Sequence, residues 1–125
     1  MLAILLVGVG GFLGSVLRYL AGGWVHRVLD NPWFPWGTLL VNLIGCWIIG
    51  FLSGLTETRQ IFSPEIRLFL FLGVLGGFTT FSSFAYETSA FLNDGQISLA
   101  SFNVGMHVIL GLVAVWIGNS LSRLI

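Results

Sequence analysis

The sequence predicts an all-α membrane protein with four transmembrane helices, and three observations carry that reading. Of 125 residues, 56% are hydrophobic and only 8% are charged, whereas a soluble domain usually carries about 25% charged residues. Four apolar stretches, Leu2–His26, Gly37–Thr56, Glu65–Phe91 and Ile97–Leu121, are each long enough for a spanning helix of about 20 residues. The connecting segments are too short for anything else, so residues 1–125 form a single four-helix transmembrane domain. The formal net charge is zero and lysine is absent, which argues against a nucleic-acid partner, since such partners need a basic surface. The expected setting is a multi-pass membrane protein surrounded by lipid.

The N-terminus lacks the charged start of a secretion signal and three further spans follow it, so it is read as a retained helix. In the first span Gly10, Gly14 and Arg18 recur every four residues on one face; small residues at that spacing let helices approach closely. Arg18 either snorkels to the interface or attracts an anion or binds backbone carbonyls in an interface. The run Gly8-Val9-Gly10-Gly11-Phe12-Leu13-Gly14, with Asp30 downstream, superficially matches a dinucleotide-binding pattern. No βαβ unit can be built from this chain, so membrane packing is the better reading. The first loop, around Asp30-Asn31-Pro32-Trp33-Phe34-Pro35-Trp36, contains two helix-breaking prolines. Its tryptophans, with Trp24, suit the membrane–water boundary.

Asn42 is the one strongly polar residue of the second span. It either bonds another helix or presents amide donors to an anion. The lone Cys46 has no internal partner for a disulfide and reads as a small hydrophobe. After a polar loop over residues 57–63, Ser63-Pro64-Glu65 forms an N-cap, a first-turn proline and a favourable dipole charge.

The third span is the most informative. Gly73-Val74-Leu75-Gly76-Gly77-Phe78-Thr79-Thr80-Phe81-Ser82-Ser83-Phe84 places paired glycines and four hydroxyls at mid-membrane. Glycine weakens a helix by about 1 kcal/mol relative to alanine, so a break at the centre is expected. The alternative is a continuous helix with small residues at a packing seam. Unwound backbone at this depth is tolerated where it is buried or lines a cavity, and its freed carbonyls suit a cation. Beyond the break Thr80, Ser83, Phe84 and Glu87 share a face, with Phe81 beside them. Hydroxyls donate to anions, and aromatic ring edges carry partial positive charge. Glu87 fits an anion path if it is protonated or near the far mouth.

The short turn Asn93-Asp94-Gly95-Gln96 makes the third and fourth spans antiparallel neighbours. The fourth span contributes Asn103, His107 and Asn119. His107 either donates into the path or packs as a satisfied histidine. His26 and His107 lie in different spans, with no carboxylate pair or metal-binding spacing, so conduction fits better than catalysis and no enzyme is expected. Four spans place both termini on one side with Arg59, Arg67 and Arg123, against Arg27 and Arg18 towards the other. Positive residues near span ends set topology, and so weak a bias suggests insertion in both orientations.

Gly37-Thr38-Leu39-Leu40-Val41-Asn42-Leu43-Ile44-Gly45 and Gly76-Gly77-Phe78-Thr79-Thr80-Phe81-Ser82-Ser83-Phe84 closely resemble signatures of the Fluc (CrcB) fluoride channels. Gly10-Gly11-x-x-Gly14-x-x-x-Arg18-Tyr19 fits as well, and the resemblance covers essentially the whole chain. It implies an antiparallel, dual-topology homodimer that exports cytoplasmic fluoride passively through two pores, each using residues of both subunits. It assigns Asn42 to the pore, Phe81 and Phe84 to the fluoride-facing aromatic box, and Thr80, Ser83 and Glu87 to a polar track. It also implies a central structural sodium ion on the backbone carbonyls of Gly76 and Thr79, with Arg18 near the vestibule or subunit contact. His107 stands where many relatives carry a small hydroxyl residue, yet it belongs to the expected fluoride pathway.

Two other classes were weighed. A small multidrug-type proton-coupled exporter also has four short spans, but it needs an acidic residue in its first helix, and Arg18 stands there instead. A non-conducting membrane scaffold subunit would use Asn42 and the hydroxyls only to join helices.

Overall fold

The computed structural model describes residues 1–30 and 32–125, and every regular element among them is helical. Four helical spans, Leu2–Val28, Trp36–Arg59, Pro64–Asn93 and Ile97–Ser122, are long and apolar enough to cross a membrane. Asn31, part of the expected first loop, lies outside the described residues.

Local chemistry explains the span ends. The second span starts directly after Pro35, whose carbonyl accepts the amide of Leu39 at 3.2 Å, and stops at Gln60 in the left-handed region with φ 50°. Ser63 caps the third span as expected, its Oγ accepting the Ile66 amide at 3.4 Å with Pro64 at the first helical position. Gly95, with φ 72°, makes the turn into the fourth span, a conformation glycine adopts without steric cost. At the first loop Phe34 is 1% exposed and packs on Trp36, Phe102 and Phe91, with ring centroids 4.7, 5.3 and 6.2 Å away. It plugs one end of the bundle. Trp24 and Trp33 are exposed, as interfacial anchors would be.

The packing is that of a membrane protein. Large apolar side chains such as Phe12, Leu112 and Trp116 point outward, while the helices meet at glycine. Between apolar helices in lipid there is little hydrophobic drive, so close backbone approach supplies the packing. The first span lies against the first half of the third, and the second span against the later part of the fourth. A Cβ on Gly10 would sit 2.9 Å from the Cα of Gly73, and one on Gly14 would sit 2.8 Å from the amide nitrogen of Phe78. This is the close approach predicted from the four-residue spacing.

The third span is bent. Its first half contains wide π-type turns over Leu68–Leu75, and Thr79 and Thr80 are extended before helix resumes at Phe81–Asn93. That later segment turns back against the start of the fourth span, which has its own π-type stretch at Met106–Leu110. Such widened turns gather at functional sites.

Candidate functional site

The bend is made by one side chain. Asn42 Oδ1 accepts the Thr80 amide at 2.8 Å, and Asn42 Nδ2 donates to the Thr80 carbonyl at 3.0 Å. In an uninterrupted α-helix the Thr80 amide would donate to the Gly76 carbonyl, and the Ser83 amide to the Thr79 carbonyl. Here the Ser83 amide donates instead to Thr80 Oγ1 at 3.2 Å, so Thr80 caps the later helical segment. Gly76 and Thr79 thereby lose their helical donors, and both carbonyls are released at mid-span. Arg18 Nη1 donates to the Thr79 carbonyl at 3.3 Å. Of the roles open to Arg18, the structure shows a backbone carbonyl contact within the chain.

Around this bend the hydroxyls are linked. Thr80 Oγ1 is 3.0 Å from Ser83 Oγ and 3.3 Å from Ser82 Oγ, and Thr79 Oγ1 donates to the Leu75 carbonyl at 2.9 Å. The rings of Phe81 and Phe84 are 5.4 Å apart at 58°. Phe84 also meets His107, with centroids 4.4 Å apart at 39°. Phe81 is 78% exposed on the isolated chain, and Gly76 and Ser82 are exposed with it. This part of the site opens on the protein's side rather than into its interior.

Three cavities carry the expected residues. Asn42, Cys46, Thr80, Phe81, Phe84 and His107 line one of about 390 Å³. Arg18, Thr38, Thr80 and Ser83 line a small one of about 110 Å³. Thr38 and Glu87, with His26 and the loop tryptophans Trp33 and Trp36, line a wide one of about 640 Å³ at the bundle end. Thr80 belongs to the first two and Thr38 to the last two, so the cavities form a series from mid-span to one end. The residues expected to share a face are thus divided, with the rings in the central cavity and Glu87 in the outer one.

Three residues of this site carried no role in the sequence analysis. Thr38 Oγ1 donates to Glu87 Oε1 at 2.5 Å. Thr88 Oγ1 donates to the Phe84 carbonyl at 2.8 Å and accepts from Asn103 Nδ2 at 2.9 Å. Asn103 stands out in the sequence only as polar, Thr38 belongs to the Gly37–Gly45 motif without a role of its own, and Thr88 offers no signal beyond a hydroxyl between Glu87 and Ser89. His107 Nδ1 lies 3.0 Å from the Asn103 carbonyl, a contact that requires the proton on Nδ1. Among the described residues, no three His, Cys, Asp or Glu side chains converge on a metal site, so a cation at the bend would rest on carbonyls.

Comparison with known proteins finds relatives along nearly the whole chain. Residues 5–119 match the family described as "CrcB-like protein, Camphor Resistance (CrcB)". A Rhizobium meliloti protein named "Fluoride-specific ion channel FluC" is 48% identical over 96% of this chain and 95% of its own. An Agrobacterium fabrum protein of the same name is 46% identical over 98% of both chains. "Fluoride-specific ion channel FluC 3" of Methanosarcina barkeri is 43% identical over 98% of this chain and 91% of its own. Matched through all four of its spans, the chain is a multi-pass membrane protein that belongs to the CrcB-like family.

Proposed function

We propose that this protein is a fluoride-selective channel through which cytoplasmic fluoride leaves passively, built as an antiparallel homodimer with two pores. The observation that carries this reading is the full-length likeness to relatives named as fluoride-specific channels, joined to a chain of anion-donor groups at the bend. Fluoride is small and strongly hydrated, so a narrow path must replace its water with donors that hold it weakly and in succession. The hydroxyl of Ser83, which accepts from Thr80 Oγ1, the second N–H of the Asn42 amide, and the ring edges of Phe81 and Phe84 are donors of that kind. His107 adjoins Phe84, and Glu87 lines the outer mouth.

The exposed position of Phe81 and Gly76 supports a second copy, because no single chain encloses these groups. Gly76–Thr79 lies near the middle of the Pro64–Asn93 span. Inverting a second subunit therefore brings the same residues to the same depth. We read the extended Thr79–Thr80 pair as the break in the third helix. The carbonyls of Gly76 and Thr79, relieved of their helical donors, fit a sodium ion at the subunit contact, where it would supply fixed positive charge near the anion path. Arg18 on the Thr79 carbonyl would brace the same turn.

The test is efflux from proteoliposomes loaded with fluoride or chloride, followed with ion-selective electrodes. Rapid fluoride release with chloride retained is expected. Retention of both ions by inserted, dimeric protein would overturn the reading. Single cysteines placed in the loops should label from both sides of the membrane; labelling of each loop from one side only would sink the antiparallel arrangement.

A further inference from the structure

Asn103 is wholly buried in the fourth span, and it closes a ring of contacts around the pathway aromatic Phe84. Its Nδ2 donates to Thr88 Oγ1 at 2.9 Å, and that hydroxyl donates to the Phe84 carbonyl at 2.8 Å. The Asn103 backbone carbonyl accepts from His107 Nδ1 at 3.0 Å, a bond within the fourth span, and the His107 ring lies 4.4 Å from the Phe84 ring. The Asn103–Thr88 bond thus ties the fourth span, which carries His107, to the third, which carries Phe84.

This arrangement is poor as simple helix glue. Asn103 Oδ1 is enclosed and has no hydrogen-bond partner among the described residues. The penalty for an orphaned buried oxygen exceeds the usual gain from one interhelical hydrogen bond in a bilayer. A residue selected for stability alone would be apolar here. The amide is better explained by the donor it offers to Thr88 and, through it, by the placing of Phe84.

We infer that Asn103 and Thr88 are positioning residues, which set the Phe84 and His107 rings at the angle fluoride requires. The inference rests on the channel reading above. Neither residue touches the ion; their effect passes through the Asn103–Thr88 bond, which fixes the later helix of the third span, and Phe84 with it, against the fourth span that carries His107. With Nδ1 donating to the Asn103 carbonyl, the neutral imidazole keeps its lone pair on Nε2, which is enclosed without a partner. The ring then packs on Phe84 through its face rather than competing for donors.

The experiment is single-channel recording in planar bilayers, in fluoride and in mixed fluoride and chloride, on the intact dimer and on Asn103→Leu, Thr88→Val and Thr88→Ser. Single-channel current reads only channels that have folded and inserted, so lost protein lowers their number and not their conductance. The current should fall roughly three- to tenfold in Asn103→Leu and Thr88→Val, the loss expected when one aromatic contact is misplaced. Thr88→Ser, which keeps the hydroxyl, should conduct as the parent does. The double variant should be no worse than either single one, because both remove the same bridge. The melting temperature of Asn103→Leu should be unchanged or higher. Unaltered conductance in Asn103→Leu and Thr88→Val, with or without a lower melting temperature, would overturn the inference and leave the channel reading intact. A silent parent dimer would overturn the channel reading itself.

Discussion

Replacing Asn42 by alanine tests the physical basis of the bend. Its two hydrogen bonds, at 2.8 and 3.0 Å, satisfy both backbone groups of Thr80, a residue only 8% exposed. Each buried group left unpaired costs about 1–3 kcal/mol, giving roughly 2–6 kcal/mol for the pair. Part of this is recoverable, because the Thr80 amide could return to the Gly76 carbonyl and restore a helical bond worth about 1 kcal/mol. The net expectation is a loss of about 1–5 kcal/mol, measured by reversible unfolding of the purified protein in mixed micelles. Fluoride efflux should be abolished, since healing the helix also removes the extended turn that places Thr80 and Phe81. Two results would refute the reasoning. Stability within about 0.5 kcal/mol of the parent, the usual range for an uninvolved position, would mean the two bonds do not hold the backbone. Full flux from a destabilised variant would mean that the bend is not needed for conduction.

Phe81→Ile should reduce fluoride flux by up to about tenfold, the worth of one aromatic contact, yet change the unfolding free energy little for the side chain's own packing in a single chain. Phe84→Ile should do the same to flux, with a larger loss of stability because its ring also packs on His107; undiminished flux in both would remove the rings from the path. Gly14→Ala should destabilise by about 1–3 kcal/mol, since its Cβ would meet the Phe78 amide nitrogen at 2.8 Å. Gly8→Ala, with nothing within 4 Å among the described residues, should be neutral or stabilising by up to about 1 kcal/mol, and equal unfolding curves for the two variants would refute the glycine seam. Exhaustive removal of sodium from the purified protein should abolish fluoride efflux and its return should restore it; full activity in rigorously sodium-free buffer would count against a cation on Gly76 and Thr79.

Sequence alone made the four helical spans legible, because a run of about 20 apolar residues has few stable alternatives in a bilayer. Ser63 as a cap, the turn at Gly95 and the seam at Gly10 and Gly14 followed from equally local rules of capping, backbone sterics and helical period. The Fluc-like motifs named Asn42, Thr80, Phe81, Ser83 and Phe84, which line neighbouring cavities at the bend. What local rules could not settle is which partner each polar side chain takes. Asn42 could equally have faced an anion or joined two helices, and only the fold puts Thr80, 38 residues away, against both halves of its amide. Thr38 and Glu87, 49 residues apart, meet for the same reason. Thr88 and Asn103 carry no pattern in the sequence, yet the return of the fourth span along the third places them in one bridge. Hydrophobic length and periodicity are properties of neighbouring residues, so they survive in a one-dimensional reading. Hydrogen-bond pairing between distant residues depends on helix rotation and depth, and those are decided only when the glycine seams close.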